Sequence, residues 1–253
     1  MINKKIAIAD TIIRTSTSYP TTVSFCNDYD CDNDNQTDFS VTLTPEDIDF
    51  ERLKAAREDE IEGNPTREYS DAYLETLALL RKITEALFDY DTLLFHGSVI
   101  AVDGNAYLFT AKSGTGKSTH TRLWREYLGD RATMVNDDKP FLKITENGVL
   151  ACGSPWMGKH GLGSNIQVPL KAICILERGE ENHIRRIHPK DAVYMLLQQS
   201  SRPMDAKKLP KYLDLVDALS KQVEFYRLQC NMDPEAAKIA FEVMSGKATD
   251  WEI

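Results

Sequence analysis

No stretch of this 253-residue chain approaches the ~18 uninterrupted apolar residues of a membrane-spanning helix, so none is expected. A secretory leader is not expected either. Met1-Ile2-Asn3-Lys4-Lys5 carries two lysines, but the apolar run behind them is short and broken by Asp10. Positive charge is in deficit: 30 Lys and Arg stand against 39 Asp and Glu, a net charge of -9. That balance argues against nucleic acid or a membrane surface as partner. Cysteine lacks any pattern. The five (Cys26, Cys31, Cys152, Cys174 and Cys230) are odd in number and scattered, and the Cys26 to Cys31 spacing, with no histidine nearby, fits no common zinc site. Reduced thiols in a cytoplasmic protein are the simplest reading. Internal repeats, low-complexity tracts and a clear flexible linker are also absent. The length suffices for one large domain, or a core with a smaller appendage, around a sizeable hydrophobic core.

Against these absences stands one pronounced feature. Residues 111 to 118 read Ala-Lys-Ser-Gly-Thr-Gly-Lys-Ser. Small residues ending in Gly116-Lys117-Ser118 can wrap backbone N–H groups around a phosphate chain, with Lys117 adding charge and Ser118 offering its hydroxyl to Mg²⁺. Ala106 to Thr110 reads as a strand entering the loop, and Thr119 to Leu128 as a helix whose N-terminal dipole faces the anion. The common pattern opens with Gly where this chain has Ala111. The exchange matters only if that position needs a positive φ.

The first 90 residues differ in texture from the rest. Lys5 to Ile13, Thr21 to Phe25 and Phe39 to Leu43 read as short strands. The polar run Asn27 to Asp38 reads as an exposed hairpin tip; it lacks the Gly and terminal Glu spacing of a calcium loop. Thr44-Pro45-Glu46-Asp47 has an N-cap, a Pro at the first position and early acids, predicting a charged helix to about Glu62 that Gly63-Asn64-Pro65 stops. Ser70 caps a second helix to about Asp89. Its apolar residues Tyr73, Leu74, Leu77, Leu80, Ile83, Leu87 and Phe88 recur at helical spacing and read as core.

From Thr92 onward short apolar strands alternate with tight turns, among them the hairpin turn Asp103-Gly104-Asn105. Strands are expected at Leu93–Phe95, Val99–Val102, Ala132–Val135, Phe141–Ile144, Val149–Cys152, Leu170–Leu176 and Val223–Leu228. Late helices fit Lys190–Gln199, Lys211–Gln222 and Asp233–Met244. Hairpin pairing around a phosphate loop implies a mixed sheet and not the repeated βαβ of a doubly wound nucleotide binder. Residues 1–90 are thus read as an N-terminal α+β region that could select substrate, and 91–253 as the phosphate-loop core.

Four further elements can carry chemistry. Asp137-Asp138 follows Met134-Val135, and magnesium bound with a nucleoside triphosphate needs an oxygen ligand beyond Ser118, which an Asp at a strand end supplies. A second carboxylate beside it can orient or deprotonate an acceptor hydroxyl. His96 ends a strand expected beside the loop strand. The Gly-bracketed segment Gly153-Ser154-Pro155-Trp156-Met157-Gly158-Lys159 places one cation, Lys159, where it could meet a transferring phosphate. Arg202, before Pro203, is a weaker candidate for the same task. Arg178, Arg185 and Arg186 read as solvated surface.

His96-Gly97, the loop closing in Ser113-Gly114-Thr115-Gly116-Lys117-Ser118, and Asp137-Asp138 resemble the core shared by HPr kinase/phosphorylases and ATP-type phosphoenolpyruvate carboxykinases. The resemblance covers roughly residues 92 to 240, and its later half is nearer to small kinases related to HPr kinase. It implies an α/β fold, a compact mixed-sheet nucleotide-binding core, here with an N-terminal α+β extension. It also implies ATP or GTP with Mg²⁺ as cofactors, held by Ser113 to Ser118 and the adjoining Thr119. Lys117 would take the phosphate role and Ser118 the metal role. Asp137, first candidate for the second metal oxygen, and Asp138 would divide the tasks of metal ligand and base in an order left open. Relatives of these enzymes often assemble, so a homo-oligomer is among the expectations. Two departures narrow the reading. The chain is too short for the substrate domain of a carboxykinase. The Glu-x-Arg-Gly segment tied to the phosphorylase reaction of HPr kinases is replaced by Gly158-Lys159-His160-Gly161-Leu162-Gly163.

The sequence therefore predicts a cytoplasmic, Mg²⁺-dependent kinase acting on a hydroxyl of a peptide, protein serine or small metabolite. The alternatives are a nucleotide-binding regulatory module and a simple NTPase.

Overall fold

The computed structural model describes residues 1–31 and 37–246, and the chain divides into two compact units, Met1–Tyr90 and Asp91–Ile253. The first unit is α+β. Strands β1 (Ile2–Ile8) and β2 (Thr11–Thr17) form an antiparallel hairpin, and β3 (Phe39–Thr42) adds to β2 in parallel. The single strand expected over Lys5 to Ile13 is thus two strands. Ala9 and Asp10 turn between them at φ of 50° and 56°, the geometry of a two-residue hairpin loop, without the Asn-Gly that usually announces one.

The strand expected at Thr21 to Phe25 is also corrected: Pro20–Phe25 is a helix, α1. Its start is made from far away. The buried carboxylate of Glu75 accepts from Ser18 N (2.6 Å), Tyr19 N (3.1 Å) and Thr22 Oγ1 (2.6 Å), satisfying donors that a helix start leaves open. Of the polar run read as a hairpin tip, Asn27–Tyr29 forms a single 3-10 turn, and residues 32–36 lie outside the described residues.

Helix α2 (Pro45–Glu62) opens on a capping box between Thr44 and Asp47, and α3 (Asp71–Leu87) on the Ser70 cap. The two are joined by charge: Arg81 reaches Glu51 (2.5 Å) and Asp47 (3.1 Å), and Lys82 reaches Asp47 (2.6 Å). Leu74, Ile83, Leu87 and Phe88 are buried, whereas Tyr73 is exposed.

The second unit is built on a curled, mixed, nine-stranded sheet. Its strands are β4 (Thr92–Leu94), β5 (Ser98–Val102), β6 (Asn105–Thr110), β7 (Ala132–Asn136), β8 (Phe141–Thr145), β9 (Gly148–Cys152), β10 (Gln167–Arg178), β11 (His183–Ile187) and β12 (Glu224–Cys230). Strand β10 does double duty: its start pairs with β9, and the remainder runs parallel to β6 and β12. On the other side of β6, β5 pairs antiparallel with both β6 and β7. The order along this part of the sheet is therefore β7-β5-β6-β10-β12-β11.

Helices α4 (Lys117–Leu128) and α7 (Glu235–Ser245) pack on each other, while α5 (Pro189–Gln199) packs on α6 (Leu209–Gln222). The face under α4 and α7 is aromatic. Trp124 is fully buried among Tyr107, Phe109 and Phe241, and meets Phe241 edge-on at 5.5 Å between ring centroids. Truncating such a ring costs roughly 3–5 kcal/mol, so this cluster anchors α4 and the glycine-rich loop before it.

The topology decides which strand ends lie together. Because β5 is antiparallel to both neighbours, its start lies beside the ends of β6 and β7, with Ser98 opposite Phe109 and Val99 opposite Asn136. A bulge interrupts the β5–β7 ladder at Val135, just before Asn136. Bulges of this kind re-aim the side chains that follow.

Candidate active site

The glycine-rich loop expected to hold phosphate leaves β6 at Ala111 and enters α4 at Lys117. Ala111 is buried and is not among the residues at positive φ, so the missing Gly costs nothing there. The conformations that do need glycine fall at Gly114 (φ 76°) and Gly116 (φ 121°), the latter as the helix N-cap. Thr115 N bonds Lys112 O, and Lys117 Nζ bonds Ala111 O at 3.4 Å across the mouth of the loop. Burial pushes the Lys117 ammonium below its ordinary pKa; Asp138 and Asp137 oppose that and Lys139 adds to it. The loop lysine and both aspartates thus share one electrostatic neighbourhood.

Asp137 and Asp138 differ sharply. Asp137 is buried and accepts from Ser98 Oγ at 2.5 Å. Ser98 Oγ also lies 3.0 Å from Thr121 Oγ1, on the first turns of α4. Asp137 is thereby tied to the helix that begins with Lys117 and Ser118. Asp138 is about a third exposed and stands 3.4 Å from His96 Nε2 and 3.6 Å from Lys139 Nζ. The two meet in a turn built by Asn136, whose Oδ1 accepts from Asp138 N (2.8 Å) and Lys139 N (2.7 Å). The Asn136 amide donates to Ser154 O and Oγ, both at 3.0 Å.

His96 is held by its backbone, with N donating to Gln199 O (2.7 Å) and O accepting from Thr110 Oγ1 (3.1 Å). Burial, then Lys139 and Lys117, drive its pKa down to about 4 against the pull of Asp138. The imidazole is therefore neutral at neutral pH, and its contact with Asp138 is between an uncharged ring and a carboxylate, not an ion pair.

The structure thus brings His96, Ser98, Lys117, Asp137, Asp138 and Lys139 to one end of the sheet. Lys159 is exposed, in a turn whose Gly158 (φ 73°) abuts Asp138; a Cβ there would meet the Asp138 Cβ at 3.1 Å. Arg202 is exposed one residue beyond Ser201, whose N bonds Leu94 O, close along the chain to the His96 edge but in no contact with it that the structure records. Ser98, Asn136 and Lys139 escaped sequence reasoning. Ser98 carried a signal, a hydroxyl opening the otherwise apolar run Val99–Val102; such a group, once buried, needs a partner.

Arg178 is a correction. It is not merely solvated surface, for its guanidinium donates to Gly114 O of the glycine-rich loop at 2.5 Å. Arg186 does lie on exposed surface, paired with Glu224 at 3.0 Å. None of the five cysteines forms a disulfide, and no described helix is long and apolar enough to cross a membrane. Among the described residues no cluster of three or more His, Cys, Asp or Glu is gathered as for a resident metal. A magnesium ion arriving with a nucleotide needs only one or two protein oxygens, and Ser118 with Asp137 is a donor set of that kind.

With this geometry in view, a family model described as SynChlorMet cassette protein ScmC matches residues 62–234, more than half of the chain. The chain belongs to the ScmC family. The matched segment contains the glycine-rich loop, the aspartate turn and Arg178. No curated protein matches. Among solved structures the chain is similar to the Hpr(Ser) kinase/phosphatase from Coxiella burnetii at 12% identity, over 61% of this chain and 95% of that one, with a TM-score of 0.37. That superposition is too loose to equate any pair of residues.

Proposed function

We propose that the second unit is a Mg²⁺-dependent kinase core of the HPr kinase and carboxykinase type, transferring the γ-phosphoryl group of ATP or GTP to a hydroxyl. The acceptor would be a peptide, a protein serine or a small metabolite. The observation that carries this reading is the aspartate turn held against the phosphate loop, with one carboxylate buried and tethered and the other open. A protein that only binds nucleotide needs the loop but has no use for an open carboxylate beside it.

The bound nucleotide would supply the phosphoryl group, and its Mg²⁺ would neutralise phosphate charge. The loop amides and Lys117 bind phosphate. Asp137, immobilised by Ser98, pairs with Ser118 as the oxygen set for the metal. Asp138, with room beside it, takes the acceptor proton, and neutral His96 orients that carboxylate or the acceptor. Lys139 adds positive charge on the same side, and Lys159 and Arg202 are assigned to the acceptor. The transition state of such transfers is loose, so positioning and electrostatics carry the rate. The first unit is assigned substrate selection, on its separate α+β build.

The test is transfer from [γ-³²P]ATP and [γ-³²P]GTP with Mg²⁺ into lysate fractions of small molecules, peptides and proteins, with Lys117→Ala alongside. Label entering one fraction only with the unaltered protein is expected. Inorganic phosphate alone would make the protein an NTPase, and tight binding without turnover would make it a regulatory module.

A further inference from the structure

The sheet order gives a bound nucleotide a direction. Asp137 and Asp138 lie at the end of β7, on one flank of the loop strand β6, while β10 and β12 lie on the other. If the reacting phosphate faces β7, the nucleoside must leave the loop toward the ends of β10 and β12. In parallel sheets ligands occupy that carboxyl edge.

A hollow of about 480 Å³ lies there. It runs from Gly114 and Thr119 past His120 and Leu123 to Arg178 and Cys230. Its size suits a nucleoside. His120 supplies an independent sign of a missing ligand. The ring is 3% exposed, and its Nε2 accepts from Trp124 Nε1 at 3.0 Å. The Trp124 indole N–H can only donate, so His120 Nε2 is the unprotonated nitrogen of the ring. A neutral imidazole that accepts at Nε2 must carry its proton on Nδ1. That Nδ1–H is buried and has no hydrogen-bond partner in the protein. An unsatisfied buried donor is costly, and most such groups have an explanation.

We infer that this hollow is the seat of the nucleoside, with His120 Nδ1–H donating to an acceptor atom on the base or ribose. Arg178, which holds Gly114 O, links the hollow to the phosphate loop and forms its rim. The inference rests on the kinase reading above and deepens it, since it assigns the half of the nucleotide that the phosphate loop leaves unrecognised.

Cys230 allows a test without mutation, because it lines the hollow and is partly exposed. Alkylation of Cys230 in the full chain is followed by mass spectrometry with ATP, GTP or inorganic tripolyphosphate, each at a concentration saturating in a direct binding assay. Nucleotides are expected to protect Cys230 and tripolyphosphate to leave it reactive. If all three bind and Cys230 reacts equally with each, the nucleoside lies elsewhere and the inference is overturned. If neither nucleotides nor tripolyphosphate bind, the phosphate-loop reading itself fails, a different result from the first. His120→Phe should weaken nucleotide binding about tenfold, the value of one hydrogen bond, and leave tripolyphosphate affinity unchanged. Unchanged nucleotide affinity in that variant removes His120 from the site.

Discussion

Ser98 donates to Asp137 at 2.5 Å, 39 residues along the chain, and so links the first residue of β5 to the residue after β7. The bond is buried, and Thr121 Oγ1 stands 3.0 Å behind the serine. It fixes the carboxylate relative to α4, the helix that follows the glycine-rich loop. Ser98→Ala should therefore raise the Mg²⁺ concentration for half-maximal turnover by about tenfold, as loss of an outer partner of a metal ligand does. Nucleotide affinity measured without metal should hardly move. A magnesium titration of turnover that coincides with the parent protein would remove Asp137 from the metal.

The open member of the pair should behave differently. Asp138→Asn keeps size and hydrogen bonding but removes the base, and turnover should fall by roughly 10²–10⁴-fold. Nucleotide affinity, read by calorimetry, should stay within about threefold. Asp137→Asn is expected instead to shift the magnesium requirement, as Ser98→Ala does. Equal loss of binding and turnover in Asp138→Asn would count against the division of roles.

Stability should fall on acidification because of His96 and His120. Both are held below the ordinary value of 6.5, to about 4 and about 3. Below about pH 6.5 the unfolded chain takes up protons that the folded chain refuses, so stability is complete above that pH and is lost as pH drops toward the folded values. Each proton contributes a slope of at most about 1.4 kcal/mol per pH unit, and less for His96, whose side chain is 31% exposed. Urea titrations near pH 7 and pH 5 should show the loss, and His96→Asn should reduce it. An equal loss in the variant would exclude His96 as a source.

Glu75→Ala should destabilise the first unit. The substitution strips an acceptor from Ser18 N, Tyr19 N and Thr22 Oγ1 at once. Of the three only Thr22 is buried, and leaving a buried donor unpaired costs about 1–3 kcal/mol, with less for the two more accessible amides, so a loss of about 2 kcal/mol is expected. Thermal melts followed by circular dichroism would read it. A melting temperature within error of the parent would mean that α1 does not depend on this carboxylate.

Much of the molecule was legible in its residues. Thr44-Pro45 and Ser70 announced α2 and α3, because caps and first-turn acids act within one turn of chain. Asp103-Gly104 announced the β5–β6 hairpin, at φ of 51° and 80°. The turn from β6 into α4 was legible for the same reason: Gly114 and Gly116, which take its positive φ values, lie within a few consecutive residues.

What escaped depends on partners far apart in sequence. Pro20–Phe25 is helical because Glu75, more than fifty residues away, satisfies its start. Arg178 meets Gly114 only because β10 pairs with β6. His120 reads as one more residue of an amphipathic helix until Trp124 fixes its tautomer and the ends of β10 and β12 open a hollow beside it.

The sequence by itself determined the glycine-rich loop between β6 and α4 and the presence of two adjacent carboxylates, since both are contiguous runs of residues with intrinsic geometry and charge. Only the tertiary structure decided that Asp137 is buried and bound while Asp138 stays open. That difference is set by Ser98, His96 and Gly158, which strand pairing and loop packing bring to neighbouring carboxylates that the chain alone leaves equivalent.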